Sequence, residues 1–163
     1  MKTSRSLIIH LLFLVAFALP AAALEIGQTA PGLSLPSLAG ATVDISGFKG
    51  RIVVLKLATT WCPTCTQQTE EIDRIKDYLQ ENDVAVVEVF IQDSEKMVRD
   101  YFAGRDLSAD RIVLLDDGSA VKSYNVYLIP RVLLIDREFK VRRDGSLIGA
   151  EELKKGIGQL IAK

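Results

Sequence analysis

Histidine and cysteine are scarce in this chain of 163 residues, which has one histidine, His10, and two cysteines, Cys62 and Cys65. A closed structural zinc site takes four such ligands, so a zinc-held domain is excluded. No block of like charge stands out either. Lys and Arg number 20 against 21 Asp and Glu, a balance that leaves no electrostatic footprint for a nucleic-acid partner. Long apolar runs are equally rare. The one candidate, Leu7 to Leu19, is interrupted by His10 and falls short of the roughly 20 residues that span a bilayer. Lys2 and Arg5 precede it and Ala21-Ala22-Ala23 follow it, the charged, apolar and small-residue succession of a secretory signal peptide. The sequence therefore predicts a signal over residues 1–23, cleaved after Ala23, with export across the inner membrane to the periplasm.

Removing that segment removes the only histidine and two basic residues, leaving one domain over residues 24–163 with a formal charge of −3. Hydrolase chemistry with a histidine base is excluded for such a domain, as are histidine-ligated metals and haem. At 48% hydrophobic residues the chain can build a full core. Cys62 and Cys65 are the leading candidates for its chemistry.

Residues 24–50 are rich in Gly, Pro and Ser, with apolar stretches at 33–35 and 41–45 around Leu38-Ala39-Gly40, so a small hairpin is expected at the domain's edge. Residues 51–58 (RIVVLKLA) are almost continuously apolar, as in a strand buried on both faces. Ile72, Ile75 and Leu79 recur at helical spacing and predict one helix over 62–80. A second buried strand over 84–91 completes a right-handed βαβ unit with parallel strands. A helix capped by Ser94 is expected over 94–103, then a short strand at 111–115 and a short helix at 119–124. Strands at 131–136 and 139–143 and a closing helix over 151–161, weakened by Gly156 and Gly158, end the pattern.

Cys62-Pro63-Thr64-Cys65 sits where a buried strand hands over to a helix, and that location shapes its reactivity. Free N–H groups and the positive end of the helix dipole stabilise a thiolate at Cys62, which makes it the nucleophile. Cys65, one turn further in, is placed to resolve the mixed disulfide. Pro63 is tolerated because its missing N–H would have no helical partner. A permanent structural bridge over so short a loop constrains the unfolded chain little. A c-type haem site would need histidine at position 66, where Thr66 stands. Two thiolates also suit Cu(I), so a copper-carrying chaperone is an alternative to redox exchange.

Several strings in this order carry a resemblance: Trp61-Cys62-Pro63-Thr64-Cys65 after a buried strand, Gly27-Gln28-Thr29-Ala30-Pro31 and Phe48-Lys49-Gly50 upstream, and Ile129-Pro130 before a strand ending Ile135-Asp136. Together they resemble the extracytoplasmic thioredoxins of the TlpA/ResA/CcmG type over essentially residues 25–163. The resemblance implies an α/β, thioredoxin-like fold, a central mixed β-sheet flanked by helices, here with an N-terminal β-hairpin extension. It implies thiol-disulfide exchange with no cofactor beyond the Cys62–Cys65 couple. Pro130 would be a cis-proline facing the pair and shaping the peptide groove, with Trp61 beside the pair gating access. WCPTC is similar to the active site of the CcmG reductases of cytochrome c maturation. Implied partners are thiol proteins, apocytochromes c among them, and a membrane thiol-transporting electron donor, with the protein a monomer. A peroxiredoxin-like peroxidase shares the fold; Thr59 fits that family's signature, but Leu55 stands where it requires proline.

Some positions depart from the family's pattern. A basic residue, an acidic one and a proline commonly follow the second cysteine, and Thr66, Gln68 and Glu70 stand at those places. Gln68 cannot titrate. The buried carboxylate expected six residues before the first cysteine is replaced by Lys56, and the lysine expected on the neighbouring strand by Glu88. An isolated buried charge is costly, so the two are expected to pair beneath the cysteines and serve proton transfer to and from Cys65, or else to reach solvent from the strand ends. Arg131 follows Pro130 and is expected to face outward, without influence on Cys62.

Overall fold

Val and Ile crowd β3 (Ile52–Ala58) and β4 (Val84–Phe90), and every residue of both strands is buried, Lys56 and Glu88 included. Branched side chains suit a pleated surface packed on both faces, which accounts for their apolar runs. The computed structural model describes residues 24–105 and 111–162; the signal-peptide reading of residues 1–23 lies outside the described residues. A mixed five-stranded sheet runs in the order β5-β4-β3-β6-β7. β5 (Arg111–Leu115) is parallel to β4, β4 is parallel to β3, and β6 (Arg131–Ile135) and β7 (Val141–Gly145) are antiparallel to their neighbours. This is the central sheet that the resemblance implied.

Alternation along the strands divides the core in two. Val53, Leu55 and Leu57 join Val87, Val89, Leu133 and Tyr124 on one face. On the other, Val54, Val86 and Leu134 pack under the helices α1 (Pro63–Asp73), α2 (Lys76–Glu81) and α5 (Ala150–Ile161) through Ile72, Leu79 and Leu153. Lys56 and Glu88 share the parity of this second set. The helix-covered face thus receives both charges, and the parallel register sets them directly opposite each other. Two further helices, α3 (Glu95–Phe102) and α4 (Ser119–Ser123), follow β4 and β5.

The N-terminal hairpin pairs β1 (Ser34–Pro36) with β2 (Thr42–Asp44). Ser37 bridges to Leu114 of β5 and Thr29 bridges to Lys140 beside β7, so this extension touches both edges of the sheet and blunts them against pairing with another chain.

Three local differences from the sequence reading have physical causes. The helix expected over 62–80 is two helices, because the turn at Arg74–Ile75 tightens: the Ile75 N–H donates to Ile72 O, and Ile72, Ile75 and Leu79 stay in one buried cluster. Phe139 belongs to a turn with positive φ, where the Asp136 carboxylate accepts from the N–H groups of Glu138 and Lys140, and β7 starts two residues later than expected. The closing helix forms as α5 in spite of Gly156, where a Cβ would meet Leu134 Cδ1 at 2.9 Å, so the missing side chain lets the helix lie close on β6.

Candidate active site

β3 ends at Ala58, and three residues later the chain turns into α1 with Cys62 as the N-cap and Pro63 in its first turn. The Cys65 N–H donates to Cys62 Sγ at 3.2 Å, and Thr64 Oγ1 lies 3.2 Å from the same sulfur. Burial opposes ionisation of Cys62, but hydrogen bonds from the Cys65 thiol and from Thr64, with those from the backbone, outweigh it and hold Cys62 below the ordinary thiol range. Cys65 is the opposite case. Burial, and then the proton it shares with Cys62, push it up to about 12, against a smaller favourable influence of the Lys56 charge. One sulfur is therefore prepared to attack and the other to keep its proton until Cys62 has reacted. Both are free thiols.

The Ile129–Pro130 peptide is cis, and Ile129 packs against the Ala58, Cys62 and Cys65 cluster, which brings the proline loop to the pair. Trp61 is 61% exposed beside Cys62, and Tyr127 and Leu128 on the proline loop are 78% and 79% exposed. A groove of about 480 Å³ opens along the proline loop, lined by Tyr127, Leu128, Pro130, Arg131 and Gly145. Large apolar side chains held in water beside a reactive sulfur are suited to meet a polypeptide substrate. Arg131 neither points at Cys62 nor faces outward. It pairs with Asp144 of β7, its Nε donating to Oδ1 at 2.8 Å, and it donates to the carbonyls of Tyr124 and Asn125. It clamps the loop that carries Pro130.

Beneath the cysteines, Lys56 and Glu88 form the expected ion pair, Nζ to Oε2 2.5 Å, with both side chains fully buried. Reach to solvent from the strand ends is thereby excluded. Lys56 also donates to Thr69 on α1, and Tyr101 on α3 reaches Thr69 Oγ1 at 3.0 Å. Arg111 completes the group: Nη1 is 2.8 Å from Glu88 Oε1 and Nη2 pairs with Asp73, the last residue of α1. Burial works against the Glu88 carboxylate, yet the charges of Lys56 and Arg111 prevail and hold it below the usual carboxylate range. Sequence reading missed Arg111, Asp73, Thr69 and Tyr101. Thr69 carried a signal, lying four residues after Cys65 on the same helix face; Arg111 opens a strand and reads as an exposed end.

Gln68, at the position where the resemblance places an acid, is fully buried and serves as a clamp. Its amide donates to Ile148 O at 3.2 Å and accepts from the Ile148 N–H at 2.8 Å. Both backbone groups of Ile148 are satisfied by one side chain that has a donor and an acceptor, and an ionised glutamate has no donor. Gln68→Glu is expected to lower stability by about 1–3 kcal/mol at neutral pH. The introduced carboxyl, facing a carbonyl, has a raised folded pKa, so the deficit shrinks below the ordinary glutamate pKa of about 4.3 and grows as pH rises. Denaturant titrations at two pH values check this; a deficit equal at both would refute the clamp.

Among the described residues no group of three or more Cys, His, Asp or Glu is placed to hold a metal ion.

The chain is similar to known proteins in sequence and in fold. Sporulation thiol-disulfide oxidoreductase A of Bacillus subtilis is 30% identical over 165 aligned positions, covering 95% of this chain and 98% of that one. Thiol-disulfide oxidoreductase ResA of Bacillus thuringiensis is 25% identical over 140 residues, 86% of this chain and 79% of that one. Among solved structures, a provisionally assigned thiol:disulfide interchange protein DsbE from Chlorobium tepidum matches with a TM-score of 0.75 at 26% identity, covering 85% of this chain and 99% of that one. Residues 25–152 match the Redoxin family, a span that contains the cysteine pair, the buried ion pair and the cis-proline. With Cys62 and Cys65 spaced as a CXXC pair at a helix N-terminus and with these relatives, the chain belongs to the Redoxin family as a thiol-disulfide oxidoreductase of thioredoxin-like fold.

Proposed function

We propose that this protein works outside the cytoplasm as a reductase, handing two electrons from the Cys62–Cys65 couple to disulfides of secreted proteins, apocytochromes c among them. The asymmetry of the pair, Cys62 held below the ordinary thiol range and Cys65 pushed up to about 12, supports thiol-disulfide exchange, and the similarity of Trp61-Cys62-Pro63-Thr64-Cys65 to the CcmG reductase site supports the reductase direction. The signal over residues 1–23 supports export, and no described helix is long and apolar enough to cross a membrane. Cys62 attacks the substrate disulfide, and Cys65 then displaces the reduced substrate. Pro130 shapes the groove in which the substrate segment lies, and Trp61 gates access to Cys62. Lys56 and Glu88 govern the proton on Cys65. The protein acts as a monomer, with a membrane thiol-transporting protein restoring its dithiol, since an oxidising compartment supplies no electrons of its own.

The test is the reduction potential of Cys62–Cys65, followed through Trp61 fluorescence in graded thiol/disulfide buffers. Trp61 is the only tryptophan and adjoins the pair, so its emission reports the couple directly. A value near about −270 mV, as in thioredoxin, is expected and supports the reductase. A value near about −120 mV would make the protein an oxidant that introduces disulfides. Absence of any reversible two-electron transition would overturn the reading.

A further inference from the structure

Arg111 is an expensive residue to have in this place. Its side chain is 3% exposed, and Nε is buried without a hydrogen-bond partner among the described residues. A buried guanidinium left incompletely satisfied destabilises a fold more than an apolar side chain of similar volume would. The nearest consequence of its presence is electrostatic. Lys56, Glu88 and Arg111 lie in a row, two cations around one carboxylate, and the inner trio carries one net positive charge. Asp73, which partners the outer side of Arg111, is 38% exposed, so solvent screens its charge far more than it screens the trio.

We propose that Arg111 is a positioning residue for the resolving step: it keeps Glu88 a carboxylate paired to Lys56, and its own charge leaves the trio net positive beneath Cys65, favouring the attacking thiolate. The inference rests on the thiol-disulfide reading of the site. In the step concerned, Cys62 is joined to the substrate sulfur. Cys65 loses its proton to solvent, and its thiolate attacks Cys62 Sγ. The Cys62–Cys65 bond forms and the bond from Cys62 to the substrate sulfur breaks. The substrate thiolate leaves and takes up a proton, having been reduced by the two electrons that the enzyme pair gives up.

The groups that face this proton are few. Cys65 is met by Cys62, by the Thr59 backbone and by the charge of Lys56. Glu88 is met by Lys56, Arg111 and Thr69, with Tyr101 behind Thr69. Asp73 is met by Arg111 and, at 4.0 Å, by Arg105. None of these neighbours is an anion in contact with Cys65 except Cys62 itself, whose charge is gone once the mixed disulfide has formed. The Lys56 charge then acts on Cys65 without an anion in contact with the sulfur, while Arg111 offsets the Glu88 carboxylate that partners Lys56.

The probe is 5,5′-dithiobis(2-nitrobenzoate) mixed with the reduced full-length protein in a stopped flow. A first burst of thionitrobenzoate reports attack by Cys62, and a second reports resolution by Cys65. Arg111→Gln is expected to leave the first phase unchanged, to slow the second about tenfold at neutral pH, and to move the pH midpoint of the second upward by about one unit. Arg111→Lys, which restores the charge, is expected to return the midpoint to that of the unsubstituted protein. Asp73→Asn, which breaks the same bridge while keeping the cation, is expected to lower thermal stability without an upward move of the midpoint. If Arg111→Gln does not fold, Arg111→Met, closer to the apolar alternative, takes its place. An unmoved midpoint in a folded variant that has lost Arg111 would overturn the proposal, as would a shift in Arg111→Lys equal to that in Arg111→Gln. Failure of the underlying reading looks different: the unsubstituted protein would then show no second phase at all.

Discussion

Cys65→Ser is expected to stop the reaction at a covalent adduct, with the substrate protein disulfide-bonded to Cys62 in a one-to-one complex that mass spectrometry detects and added thiol dissolves. Cys62→Ser is expected to yield no adduct and to lower the rate of disulfide reduction by about 10³-fold or more, because the remaining thiol is buried and holds its proton. The pair acts as a unit, so the double variant should be no worse than Cys62→Ser alone. A brief pulse of iodoacetamide at neutral pH on the reduced protein gives the same assignment independently. Cys62, held below the ordinary thiol range by the Cys65 and Thr64 hydrogen bonds, should take the label, and Cys65, pushed up to about 12, should not. Equal labelling, or an adduct formed through Cys65, would reverse the assigned roles.

Glu88→Gln is the second substitution with a large expected effect. It strands Lys56 and Arg111 in the interior without their shared anion, and breaking a buried ion pair costs about 3–5 kcal/mol. Lys56→Met should cost less, because Glu88 then keeps Arg111. Resolution by Cys65 slows in both, since an unpartnered buried lysine tends to give up its charge and the methionine never had one. Acid titration of stability provides a further arm. The folded pKa of Glu88 lies below its ordinary value of 4.5, so its contribution is full above that value and is lost as pH falls through the folded pKa. Glu88→Gln should lack this part of the acid dependence. Combining Lys56→Met and Glu88→Leu with Arg111→Met replaces all three charges by apolar groups and should regain much of the stability while leaving resolution slow. If resolution recovered along with stability, the pair would have a structural role alone.

Much of this was legible in the one-dimensional pattern, for reasons that are local. Apolar runs bounded by turns specify the buried strands, since burial on both faces demands continuous Val, Ile and Leu. The spacing of Cys62 and Cys65, with proline between them, places both sulfurs at a helix start whatever the rest of the fold does. For Lys56 and Glu88 the sequence left two alternatives open, pairing or reach to solvent, and the parallel register that sets them opposite each other decides for the pair. Family resemblance, and not periodicity, supplied the cis bond at Pro130.

What the sequence alone determined, then, is the pair of buried parallel strands and the helix that begins at the Cys62–Cys65 pair, because each depends on neighbours close along the chain. Tertiary structure alone decided which distant groups surround them. Arg111 reaches Glu88 across 23 positions of sequence, Gln68 clasps Ile148 across 80, and Arg131 turns toward Asp144 and away from Cys62. It also broke one helix at Ile75 and let Gly156 draw another onto the sheet. Side-chain partners of this kind are chosen by packing and by the need to satisfy buried charge and hydrogen-bonding groups, and those demands exist only once the sheet and helices have met.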